Sequence, residues 1–323
     1  MMPHHPHLAR ELAAALDLLD MSFPDISTLT FDDLPALRAQ AAAMRAATVV
    51  EDPLVSVEER WVQGPEGAPD VRLRISRPAR PAPGPLPCLY WVHGGGMVVG
   101  SADGDDALAA RFVKEVGCVV VAVDYRLAPE HPDPAPVEDC YAGLLWTAKN
   151  AAELGVDPAR LAVGGASAGG GLAAGTVLLA RDRGGPAVAY QLLICPMLDD
   201  RDATPSTLEF EEAVVWNRAA NVFGWSALLG DRRGTADVSP YAAPARADDL
   251  TGLPPAFIDV GALEVFRDEC LTYAQRLAQA GVSTEFHLYA GTFHGFDMII
   301  PDVEVSRQAG AARISALRRA LLP

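Results

Sequence analysis

The stretch Leu161-Ala-Val-Gly-Gly-Ala-Ser-Ala-Gly-Gly-Gly171 constrains this chain more than any other. A short apolar run enters it, and a helical run from Leu172 to Arg181 leaves it. A tight turn must therefore join strand to helix within a few residues. In that turn, Gly165-Ala166-Ser167-Ala168-Gly169 is a G-x-S-x-G, the pattern of a nucleophile elbow. Small residues surround the serine because the turn is strained and the helix lies close to the strand. Such a turn lifts the serine Oγ to the sheet's C-terminal edge, beside the N–H groups of a helix N-terminus. The same glycines would also suit a phosphate-binding turn. The choice depends on what the rest of the chain supplies.

The surrounding sequence predicts an α/β fold. Continuous apolar runs at Cys88–Val92, Cys118–Val123, Val188–Ile194 and Ala256–Val260, with Thr284–Tyr289 after them, alternate with helical segments such as Ala107–Val116 and Asp139–Lys149. Strands apolar along their whole length are covered on both faces, as in a mostly parallel sheet. Two earlier runs, Val55–Val62 and Val71–Ser76, alternate apolar and polar residues and read as antiparallel, half-buried strands. The core is assigned to residues 48–200 and 240–323.

Two segments break this rhythm. Residues 1–47 read as two helices, one from Leu8 and one through Leu37 and Met44 after a start near Thr30. Residues 201–239 hold a stretch from Glu209 to Leu229 that reads as helical. Both are expected to form a helical cap over the C-terminal edge, where ligands bind in such sheets. Peripheral packing layers would give the same periodicity.

Composition narrows the class. At 323 residues, half of them hydrophobic, the chain can bury a large core. A formal charge of −16, spread along the sequence, disfavours nucleic acid and anionic membranes as partners. Cys88, Cys118, Cys140, Cys195 and Cys270 are scattered, with no C-x-x-C, and are expected to be buried free thiols in a reducing compartment. With no secretory signal pattern or membrane-length apolar run, a cytoplasmic location is the default expectation. His4, His5 and His7 stand among prolines with no cysteine or acidic partner near, so no metal is expected there or elsewhere.

A serine that attacks a carbonyl needs a base, a group that orients the base, and donors for the oxyanion. His93-Gly94-Gly95-Gly96 directly follows the Cys88–Val92 run and is an HGGG-type donor loop; the N–H after the nucleophile belongs to Ala168. The Walker lysine pattern is missing, which weakens the phosphate reading. The expected order is Ser, then Asp or Glu, then His. His294, just past the Thr284–Tyr289 run, suits the base better than His287 inside that run or His131 in a proline-rich loop. Glu264 is best placed as the acid, with Asp259 and Asp268 as competitors.

Together these motifs resemble the bacterial hormone-sensitive-lipase-like carboxylesterases, which have the α/β-hydrolase fold. The resemblance runs from about Pro87 to Phe296 and includes Tyr125-Arg-Leu-Ala-Pro-Glu-His-Pro, Leu253-Pro-Pro-Ala-Phe-Ile, Phe266-Arg-Asp-Glu and His294-Gly-Phe. It implies a serine esterase with Ser167, Glu264 and His294 as triad, oxyanion donors at Gly95, Gly96 and Ala168, and no cofactor. It also implies a small, short-acyl ester as substrate and dimers as a common state. Met97, Trp216 and Phe223 are the expected pocket residues, with Trp225, Phe23 and Phe31 as further apolar walls. A lactonase or amidase could use the same triad. Plant gibberellin receptors resemble this family but lack the histidine; His294 argues against such a binding-only role. Two departures stand out: Ala166 where the family usually has Asp or Thr, and Glu264 where Asp is common. The first is expected to loosen the elbow or shift substrate preference.

Overall fold

The structure is a computed structural model that describes residues 5–18, 26–48 and 52–322. Among these residues, eight strands form one sheet in the order β1-β2-β4-β3-β5-β6-β7-β8. They are β1 (Val55–Val62), β2 (Val71–Pro78), β3 (Leu86–Val92), β4 (Val119–Asp124), β5 (Val156–Ala166), β6 (Tyr190–Ile194), β7 (Ala256–Gly261) and β8 (Thr284–Tyr289). β2 runs antiparallel to both β1 and β4, and from β4 to β8 every pairing is parallel. The burial pattern explains the sequence pattern. β6 and β7 are buried at every position, whereas the edge strand β1 is mostly exposed. A strand covered by helices on both faces has no solvent face, so its few polar residues, Gln191 in β6 and Asp259 in β7, need partners inside the fold: the Gln191 side chain donates to the Pro254 carbonyl and Asp259 pairs with Arg313.

The helices are α1 (Arg10–Leu16), α2 (Leu34–Thr48), α3 (Asp106–Val116), α4 (Ala135–Lys149), α5 (Ala151–Leu154), α6 (Ala168–Asp182), α7 (Pro205–Glu209), α8 (Arg218–Leu229), α9 (Arg267–Gln279), α10 (Phe296–Ile299) and α11 (Glu304–Leu321). α6, which begins at the residue after Ser167, is buried along almost its whole length. Its Gly and Ala residues let it lie close against the sheet.

The segments outside the core meet one another. Phe31 packs against Phe223 of α8, with ring centroids 4.9 Å apart. Arg38 of α2 donates to the carbonyls of Val98 and Ala128 and pairs with Glu130, which ties the N-terminal segment to the loops after β3 and β4. α1 buries Leu12 and Leu16 against Phe293, Phe296 and Ile300. Phe23 and His4 lie outside the described residues.

One expectation needs correction: Glu209–Leu229 is not one helix. α7 stops at Glu209, and α8 starts only at Arg218. Between them Val215 has φ +73°, which a β-branched residue cannot hold in a helix. Asn217 then starts α8 anew, its side chain accepting from the Ala220 N–H at 2.9 Å. Trp225 is fully buried within the main core.

Asp259 sits inside β7 as the sequence suggested. It is buried and pairs with Arg313 of α11 at 2.6 Å, and Arg313 also binds Asp297. Burial pushes the Asp259 carboxyl up to about 6, against the opposing pull of Arg313. All five cysteines are free and buried. Among the described residues no helix is long and apolar enough to cross a membrane.

Candidate active site

β5 ends at Ala166, and α6 begins at Ala168, so Ser167 alone makes the turn. Its backbone is held at φ 56°, ψ −123°, outside the favoured regions for an L-residue. Such a conformation costs about 1–3 kcal/mol and persists because its surroundings over-determine it. Here those surroundings are backbone bonds: the Ser167 N–H donates to the Ile194 carbonyl at 2.8 Å, and the Met197 N–H donates to the Ser167 carbonyl at 3.0 Å. Close packing requires glycine on both sides. A Cβ on Gly169 would lie 2.2 Å from the Val92 carbonyl oxygen, and one on Gly165 would lie 2.2 Å from the Gly169 carbonyl oxygen.

Three loops at the sheet's C-terminal edge bring the remaining groups to Ser167. Glu264 follows β7, and His294 follows β8. The two loops are stitched together: Ala262 N–H donates to the Tyr289 carbonyl, and Leu263 N–H to the Thr292 carbonyl, both at 2.9 Å. As a result His294 Nε2 lies 2.9 Å from Ser167 Oγ, and His294 Nδ1 lies 3.2 Å from Glu264 Oε1. The ring is held edge-on by Phe266, 5.2 Å between centroids. Ser167, Glu264 and His294 are all buried, which raises the strength of each polar contact.

Burial alone would make His294 a weaker base. The Cys195 side chain and the Glu264 carboxylate beside the ring oppose it, and the balance is upward from the usual histidine value. Burial raises the Cys195 thiol as well, so it keeps its proton.

The loop after β3 lies directly against this turn. A Cβ on Gly94 would touch the Ala166 carbonyl oxygen at 3.0 Å. Gly95 and Gly96 have φ of 117° and 60°, and a Cβ on Gly96 would collide with the Trp216 ring at 2.2 Å. Ala168 is the first residue of α6, so its N–H is one of the helix's unpaired donors. His93 is buried, stacks on Tyr125 at 4.2 Å, and its carbonyl accepts from the Tyr125 hydroxyl at 3.0 Å. The Tyr125 segment thus supports the glycine loop from below.

Of the expected pocket residues, Trp216 lies against Gly96, and Phe223 packs on Phe31. Met97 is fully buried, with φ +65°, and its carbonyl accepts from the Ala128 N–H. The competing carboxylates go elsewhere: Asp259 to Arg313, and Asp268 to Arg267 at 2.8 Å and the Ser206 N–H at 2.7 Å. Sequence reasoning passed over Cys195 as one more buried thiol. Its Sγ, a ring nitrogen of His294 and a carboxylate oxygen of Glu264 lie within 4.8 Å of one another. Its place directly after β6, at the same edge as the other groups, was the available signal.

A mostly parallel sheet with a serine, a histidine and a carboxylate gathered at its C-terminal edge describes an α/β hydrolase. Residues 89–298 match the sequence family described as alpha/beta hydrolase fold, and the chain belongs to that family. It is 36% identical over 319 residues to carboxylesterase NlhH of Mycobacterium tuberculosis, covering 98% of each chain. It is 30% identical over 258 residues to an ethyl acetate hydrolase of Pseudomonas putida, covering 77% of this chain and 78% of that one. Among solved structures, a bacterial heroin esterase superposes with a TM-score of 0.91 at 45% identity, over 98% of this chain and 99% of that one. The resemblance drawn from the motifs holds, and the chain is a carboxylic ester hydrolase.

Proposed function

We propose that this ester hydrolase works through an acyl-enzyme on Ser167 and takes small, uncharged esters with short acyl chains. The observation that carries the first part is the run of contacts Ser167 Oγ to His294 Nε2 at 2.9 Å and His294 Nδ1 to Glu264 Oε1 at 3.2 Å. Ser167 Oγ attacks the ester carbonyl while His294 Nε2 takes its proton. Glu264 holds the Nδ1–H tautomer and offsets the positive charge that forms on the ring. The N–H groups of Gly95, Gly96 and Ala168 hold the developing oxyanion, where loss of one donor typically costs about 10²–10³ in kcat. His294 then gives its proton to the leaving alcohol. Water follows, activated by the same nitrogen, and releases the acid.

The second part rests on the Trp216 ring lying against Gly96 and Gly224 of α8, which puts a large ring beside the proposed oxyanion site. Residues 1–47 and 201–239, which meet at Phe31 and Phe223, are proposed as the two pieces of a cap over it. The similarity to an ethyl acetate hydrolase points to the same size of substrate. A panel of esters differing in acyl length tests this. We expect kcat/KM to fall as the acyl chain grows; a higher value for an emulsified long-chain triglyceride than for a short-chain ester would overturn the assignment.

The proposed steps use no metal. Activity should therefore survive exhaustive dialysis against a chelator. Loss on dialysis with recovery on adding Zn²⁺ would require another mechanism.

A further inference from the structure

Cys195 has no part in the proposed steps, yet its thiol is fixed beside them. It follows β6 with φ +36°, and its N–H donates to the Asp259 carbonyl at 2.8 Å. The preceding residue, Ile194, accepts the Ser167 N–H. Strand and nucleophile turn therefore hold Cys195 in place together. Its sulfur, a His294 ring nitrogen and a Glu264 carboxylate oxygen lie within 4.8 Å of one another, all from buried side chains. Glu264 is 0% exposed, and among the described residues its Oε2 has no hydrogen-bond partner. A buried carboxylate oxygen without a donor is costly and ready to accept one.

We propose that Cys195, Glu264 and His294 form a latent site for a thiophilic divalent cation of the zinc type, and that its occupation switches the hydrolase off. One thiolate sulfur, one imidazole nitrogen and one carboxylate oxygen are the donors zinc takes. Zinc bond lengths of about 2.0–2.3 Å place tetrahedral ligands roughly 3.3–3.8 Å apart, so the three groups need to close by about 1 Å. On binding, the cation gives up water ligands, the Cys195 S–H releases its proton to solvent, and a sulfur–metal bond replaces it. No group is oxidised or reduced. Hard cations such as Mg²⁺ prefer all-oxygen shells and gain little here.

Inhibition follows from either ring nitrogen. If Nε2 binds the cation, the lone pair that would take the Ser167 proton is used. If Nδ1 binds it, the remaining ring proton moves to Nε2, which then donates and can no longer accept. The inhibitory part rests on the acyl-enzyme reading; the binding part does not.

Calorimetric titration with ZnCl₂ and activity measurements separate the two parts. Wild type and Ser167→Ala should each bind one equivalent. Wild type should lose its activity as the site fills and regain it with EDTA, and MgCl₂ should do neither. Cys195→Ala and the near-isosteric Cys195→Ser should weaken zinc affinity by about 10-fold or more. Their inhibition midpoints, each normalised to the variant's own zinc-free activity, should shift in step. Thermal midpoints identify a variant that has failed to fold. Equal zinc affinity in wild type and a folded Cys195→Ala, or no binding by wild type and Ser167→Ala, would overturn the site. Full activity of wild type with one zinc bound would overturn the switch. Because Ser167→Ala needs no turnover to report binding, failure of the triad reading leaves the site's test intact.

Discussion

Ser167→Ala is expected to abolish ester hydrolysis and labelling by an organophosphonate while the fold stays intact. The variant removes one oxygen, and with it the acceptor–donor contact to His294 Nε2 at 2.9 Å. No neighbouring side chain can take over attack: Cys195 keeps its proton under burial, and Glu264 is turned to the other ring nitrogen. Loss of the nucleophile in a serine hydrolase lowers kcat by roughly 10⁶-fold. The backbone bonds that hold the turn, to Ile194 and from Met197, do not involve the side chain, so the thermal midpoint should move little. A folded alanine variant that still turns over esters near the wild-type rate would sink the acyl-enzyme on Ser167.

Glu264→Gln is the second large effect. The carboxylate is fully buried, and its Oε1 receives His294 Nδ1 at 3.2 Å. A glutamine keeps the shape but can present an N–H to Nδ1, which favours the wrong tautomer. The equivalent change in a serine protease costs about 10⁴ in kcat. An alcohol leaves more easily than an amine, so a somewhat smaller loss is expected here. Asp259→Asn should act through the fold instead, because it breaks a buried pair with Arg313 at 2.6 Å. Breaking such a pair from one side costs about 3–5 kcal/mol. Asp268→Asn touches a partly exposed pair with Arg267 and should cost less. Measuring kcat and thermal midpoint for all three variants decides the assignment. Near-normal kcat in Glu264→Gln beside a folded, inactive Asp259→Asn or Asp268→Asn would move the acid.

The thiol beside His294 also bears on these variants. Glu264→Gln would remove a proposed zinc ligand as well as the proposed tautomer restraint, so its residual activity should be measured in the presence of EDTA. That keeps the two roles of Glu264 apart.

Much of this was legible in the sequence, because the interactions concerned are local. A strand buried on both faces is apolar almost throughout, so Cys88–Val92 and Ala256–Val260, in which Asp259 is the one polar residue, announced a parallel sheet before any pairing was known. A turn made by one residue must have small neighbours, so Gly165 and Gly169 marked Ser167. Since each loop's place follows from the strand it leaves, the sheet edge shared by Ser167, Glu264 and His294 could also be read. What the sequence left open depended on contacts between distant segments. The break between α7 and α8 comes from a positive φ at Val215 and a new cap at Asn217, which periodicity does not register. The choice of Glu264 over Asp259 turns on Arg313, fifty-four residues away, which claims Asp259. Cys195 looked like any buried thiol until the β6 turn set it beside His294 and Glu264. Local sequence determined the strands, the elbow and the order of the chemical groups, since backbone geometry and solvent exposure act residue by residue. Only the tertiary structure decided which carboxylate meets the histidine and which sulfur stands next to it, because burial and pairing depend on side chains that the chain brings together from far apart.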